Sequence, residues 1–210
     1  MNREITVGLR GRGRREEGPE RPSQAFRWWL ALLVAACLAA GHAPDARAQE
    51  AAPSEYQVKA AFLYNFAKFV EWPTEAFQDA TSPFVIGVLG NDPFEGALDQ
   101  TVRGKKVNGR AMAVRRLKEE ALGGCHILFI SASEKRPLWQ ILGCLKGSSV
   151  LTVGEMESFT QAGGIVNFVM KEGRVRFEIN ADGAERARLR VSSKLLALAK
   201  VVRDGKIGKD

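Results

Sequence analysis

Histidine and cysteine are scarce in this chain. Its 210 residues hold two histidines, His42 and His126, and three cysteines, Cys37, Cys125 and Cys144. A protein metal centre draws several His, Cys or carboxylate ligands at short spacing, and no such group is visible: His126 sits beside Cys125 inside an apolar run. Serine chemistry lacks its frame as well. Ser131 and Ser133 follow a strand-like run without the G-x-S-x-G turn that presents a nucleophile, and His126 would point back into the sheet. The phosphate-loop spacings G-x-G-x-x-G and G-x-x-x-x-G-K-[ST] are missing. VLGNDPF, residues 88–94, puts Asp92 where a phosphate would be repelled. These absences predict a protein that is no enzyme, with neither metal nor cofactor.

A long apolar run is also absent. A helix needs about 20 apolar residues to cross a bilayer, and the longest stretch here is WWLALLVAACLAA, residues 28–40. It follows Arg21 and Arg27 and precedes Ala46 and Ala48, an A-x-A pattern, so it reads as the apolar part of a signal peptide cleaved between Ala48 and Gln49. Export to the periplasm is expected. VAAC, residues 34–37, is the alternative: a lipoprotein box that would leave Cys37 acylated and anchored. Residues 1–27 are rich in Arg, Gly, Glu and Pro without any period that buries a face, which predicts a disordered basic leader. The length of this basic stretch points to a translation start downstream of Met1.

Loss of residues 1–48 removes eight Lys/Arg and five Asp/Glu, leaving 23 basic against 19 acidic side chains, so the net charge falls from +7 to +4. Nucleic-acid binding needs basic residues gathered on one face. Here they are dispersed, the densest group being Arg186, Arg188 and Arg190, so no nucleic acid is expected as a partner.

What is present is the patterning of one α/β domain over 55–203, after a linker at 49–54 and before a frayed tail at 204–210. Ser54 is placed to cap a helix running through EYQVKAAFLYNFAKFVEW. Phe62, Phe66, Phe69 and Val70 share its apolar face, Lys59, Lys68 and Glu71 lie elsewhere, and Pro73 ends it. Buried strands are predicted at 83–90, 125–131 and 148–154. Helices follow, with Asp92 as cap and Pro93 first in one, and others over 134–145 and 155–163. Asn108-Gly109 marks a tight turn. The segments 164–170 and 174–180, joined by Lys171-Glu172-Gly173, form a hairpin. A terminal helix over SSKLLALAKVV is capped by Ser192 or Ser193. Alternating strands and helices predict a three-layer sandwich: a mostly parallel mixed sheet, helices on both faces, and a late antiparallel hairpin.

Three groups of residues are candidates for a role. A helix returning along its strand brings Cys144 towards Cys125, so a disulfide is expected in an oxidising compartment, closing a loop worth roughly 3 kcal/mol; two buried thiols are the alternative. Asn167, Glu178 and Asn180 are polar positions in an apolar hairpin, either a clamp on the terminal segment or ligand contacts, with Asn180 suited to a cap. Tyr64 and Trp72, off the main apolar stripe, are candidates for a partner or dimer contact.

The succession KAAFLYNFAKFVEWP, FVIGVLGNDPF, GKKVNGR, CHILFIS, VLTVGE, GGIVNFV, VRFEIN and SSKLLALAKVV resembles the YfiR family of periplasmic regulators over roughly residues 55–202. The resemblance implies a compact α/β domain, often a homodimer. It also implies repression of a YfiN-type inner-membrane diguanylate cyclase through its periplasmic portion, lower cyclic-di-GMP and less biofilm, with relief by an outer-membrane lipoprotein and sensitivity to thiol oxidation. Two cysteines left after signal removal allow no scheme with two disulfides in one chain. The reading from a different class is a periplasmic small-ligand sensor, binding at the carboxyl ends of the parallel strands.

Overall fold

A computed structural model describes residues 52–117 and 122–204. The leader and signal segment, the cleavage site at Ala48 and Gln49, Cys37 and most of the tail lie outside the described residues. Helix α1, Glu55–Phe69, opens on a full capping box: the Ser54 hydroxyl accepts the Gln57 amide and the Gln57 side chain accepts the Ser54 amide, closing two donors that a helix start leaves open. It stops three residues short of the expected end. Val70–Glu71 leaves the helix as strand β1 and pairs antiparallel with β9, Arg190–Val191.

The remaining strands are β2 (Phe84–Leu89), β3 (Lys106–Val107), β4 (Arg110–Leu117), β5 (Ile127–Ile130), β6 (Leu151–Gly154), β7 (Val166–Lys171), β8 (Arg174–Asn180) and β10 (Lys200–Val202). Among the described residues they form one sheet in the order β10-β8-β7-β6-β5-β2-β4-β3. It is parallel except where β7 meets β8 and β3 meets β4. The late hairpin and the Asn108-Gly109 turn therefore stand as expected, the latter with both residues at positive φ. β5 and β6 are buried throughout, as parallel strands covered on both faces must be.

Successive side chains alternate between two cores. Phe84, Ile86 and Val88 of β2 and Ile127 and Phe129 of β5 face α1 and helix α2, Ala97–Val102. Val85, Leu89, Leu128 and Ile130 face the other way, towards helix α3, Leu138–Cys144, and Phe159. Phe159 lies flat on backbone: a Cβ on Gly154 or Gly164 would come within 2.5 or 2.1 Å of its ring. Two short helices, α4 (Ala181–Arg186) and α5 (Ser193–Leu196), close the chain.

Several expected elements are corrected. The first helix buries Lys59, Ala60, Leu63, Phe66 and Ala67, whereas Phe62 and Phe69 are only half-buried. The helix expected to open at Asp92 begins at Ala97; Asp92 instead accepts the Phe94 amide and pairs with Arg116. The helix expected over 134–145 starts at Leu138, after Pro137, and in place of the helix expected over 155–163 the chain makes a bend at Met156 and turns over 157–163. The terminal helix is one turn, capped by Ser192, because Lys200–Val202 pairs with β8 instead.

Candidate functional site

The carboxyl ends of β2, β5 and β6 are where an open α/β sheet leaves a crevice, since β4 and β5 lie on opposite sides of β2. Here part of that crevice is taken up by its own groups. The Ser133 hydroxyl accepts the Asn91 amide at 2.8 Å and bonds the Ser131 hydroxyl at 2.9 Å. Gly90, at φ 87°, turns the chain beneath Ser133, where an added Cβ would lie 3.0 Å from Ser133 Oγ. Beside it, Lys59 projects from α1 into the protein with 4 % exposure. Its ammonium donates to Glu155 at 2.6 Å and Glu55 at 2.5 Å, and stands 4.5 Å over the Tyr56 ring. Burial alone would lower the Lys59 pKa; the bonds to Glu155 and Glu55 outweigh it and raise the value. Tyr56 donates its hydroxyl to Glu155 at 3.3 Å, and burial together with that carboxylate raises its pKa too. A cavity of about 320 Å³ opens on this cluster, rimmed by Phe168 and Met170.

The hairpin polar residues occupy distinct places. Asn180 caps α4, its side-chain oxygen accepting the Gly183 amide at 2.8 Å while its nitrogen donates to the Thr160 carbonyl and to Asp204. It ties a loop, a helix start and the residues just after β10 together. Glu178 accepts from Lys200 at 2.9 Å and from the Thr160 hydroxyl at 3.4 Å. Asn167, in register with Glu178, is buried, and its side-chain oxygen has no partner among the described residues.

His126 is structural in its bonding. Its Nδ1 accepts the Val85 amide at 3.0 Å, and its ring packs against both Phe77 at 4.4 Å and Phe84 at 4.8 Å, with Arg110 capping Phe77 at 3.9 Å. Burial, with Arg110 and Arg115 nearby, lowers its pKa. Trp72 completes this stack edge-on to Phe84 and donates its indole N–H to the His126 carbonyl at 3.2 Å. Tyr64 is half-buried against the α1 core, with the Lys105 ammonium 4.3 Å over its ring.

The expected bridge between Cys125 and Cys144 is not formed: both are free thiols. Cys125 is buried beneath Ile141 and Leu145, donating weakly to the Leu122 carbonyl, and α3, which buries Ile141, leaves Cys144 exposed. Burial pushes the Cys125 thiol up to about 11. Among the described residues no three His, Cys, Asp or Glu side chains converge as a metal site, and no helix is long and apolar enough to cross a membrane.

The spacing of Lys59 predicts a place outside the core, and nothing local marks it otherwise. Its counter-charge, Glu155, comes from 96 residues away. Together the sheet and these sites define an α/β domain whose buried charge is neutralised internally. The model of the YfiR/HmsC-like family matches residues 56–200, from the first turn of α1 to the start of β10. The chain belongs to that family.

Proposed function

We propose that the protein is an exported, non-enzymatic regulator that binds the periplasmic portion of an inner-membrane diguanylate cyclase and lowers its synthesis of cyclic-di-GMP. Membership of the YfiR/HmsC-like family across residues 56–200 carries this reading. The internal engagement of Lys59, Ser133 and the Nδ1 of His126 is in keeping with it, because each of these polar groups is taken up by a neighbour in the fold. In the same reading residues 1–48 are a leader and signal removed before Gln49, residues 55–203 are a single domain that works as a homodimer, and an outer-membrane lipoprotein relieves the repression. Affinity purification of the tagged protein from cross-linked cells tests the contact. A diguanylate cyclase is expected in the eluate, and its absence would refute the reading.

The cavity beside Lys59 favours one second reading, a sensor of small ligands at the carboxyl ends of the strands. Ligand that binds only the folded state raises its melting temperature. A thermal-shift screen that yields such a compound, with the shift lost in a Tyr56→Ala variant, would support this reading over the first.

A further inference from the structure

At the opposite end of the sheet, by the amino ends of β6 and β7, a groove of about 690 Å³ runs between α3 and α4. Its floor is apolar, built from Leu145, Val150 and Ile165, each less than a tenth exposed. Trp139 of α3 stands on its rim with 74 % of its surface in solvent. Among the described residues the charged side chains lining it, Lys146 and Arg186, are cationic, and no carboxylate lines it. Arg188 adds a third cation by donating to the carbonyl of Gly147, a lining residue, at 2.9 Å. Asp204 offsets Arg186 through an ion pair, so the groove keeps a net positive rim. Gly143 and Gly147 leave bare backbone there, with nothing within 4 Å of the space a Cβ would fill. Another chain can approach closely at that point.

We infer that this groove docks the regulated partner, and that the partner segment entering it is acidic and amphipathic: a large apolar side chain laid against Trp139 and the floor, flanked by Asp or Glu facing Lys146, Arg186 and Arg188. The inference rests on the contact reading above. Charge decides the occupant, since a rim of one sign attracts the opposite sign and rejects its own. Exposed tryptophan and arginine are the side chains on which binding energy concentrates. The carboxyl end of the sheet has no such surplus, because Lys59 is already held by Glu55 and Glu155.

The test uses the full chain, expressed with a carboxyl-terminal tag in cells lacking the native copy, and measures the amount of diguanylate cyclase captured after cross-linking. Trp139→Ser and the double variant K146E/R188E are each expected to lower capture by at least about tenfold. K146R/R188K is expected to retain it. Abundance and melting temperature of each variant, followed in the same cells, are expected to match the unchanged chain, since all three side chains are exposed. Variants that fold and still capture the cyclase in full would overturn the groove assignment while leaving the contact reading intact. So would a Trp139→Ser variant that loses only self-association, which would give the groove to a second copy of this chain. If the unchanged chain captures no cyclase, both inferences fall together.

Discussion

The ammonium of Lys59 on the first helix lies 2.6 Å from the carboxylate of Glu155, which follows strand β6 96 residues later. Glu55, one turn before Lys59, makes a second contact, but its side chain is 41 % exposed against 11 % for Glu155. Removing one member of a buried ion pair leaves the other charge uncompensated and costs about 3–5 kcal/mol, whereas an exposed pair is worth about 1 kcal/mol or less. Glu155→Ala is therefore expected to cost several-fold more stability than Glu55→Ala in urea unfolding. Equal losses would show that the buried contact is not the dominant one.

Phe159 and Gly164 make a sharper steric prediction. A methyl group at Gly164 would sit 2.1 Å from the ring, which lies against backbone and cannot swing clear. Gly164→Ala is expected to cost about 1–3 kcal/mol, in the range of an overpacked core. Adding Phe159→Leu should recover part of the loss, a non-additivity that unfolding curves of the double variant would expose.

His126 sets a pH dependence. Its pKa is lowered in the folded protein by burial first, so the unfolded chain, near 6.5, takes up its proton more readily. Stability from this group is complete above about pH 6.5 and is lost progressively as pH falls towards the folded value. Urea midpoints measured from pH 7.5 down to pH 5 should decline. His126→Asn, which offers Val85 an acceptor that does not titrate, should flatten that decline; an unchanged slope would assign it to other groups.

The two thiols should differ in reactivity. Cys125 is buried with its pKa pushed up to about 11, and Cys144 is exposed on α3. The thiolate is the reactive form. In chain processed at Gln49, one thiol is expected to react with a disulfide reagent under native conditions at pH 8 and two in denaturant. A Cys144→Ser variant with a fast native thiol would contradict the buried position of Cys125.

The strands and the caps were legible because their causes are local. Runs such as ILFI and LTVG state two-sided burial outright, and Ser54, Asn180 and Ser192 are caps as their chemistry predicts. What was not legible depends on partners far along the chain. The stripe of Phe62, Phe66 and Phe69 reads as the inner face of α1, and Phe62 and Phe66 do pack on Phe177 of β8, yet the stripe misses Ala60, Leu63 and Ala67, which are fully buried, while Phe62 and Phe69 are only half-buried. Small residues mark where the helix backbone approaches the sheet, and that approach is fixed by the sheet rather than by the helix. KVV at 200–202 has helical neighbours, but the open edge of β8 offers a pairing that outweighs local propensity. Trp139 lay within an expected helix, and only the packing of α3 shows it unburied.

As the proposed regulator, this chain would restrain a diguanylate cyclase in the cell. Cellular cyclic-di-GMP, measured by mass spectrometry with the gene deleted and then restored, tests it most directly. A rise on deletion and a return to the starting level on restoration are expected, with no change in a strain that also lacks the cyclase. An unchanged level on deletion, in cells shown to produce that cyclase, would contradict it.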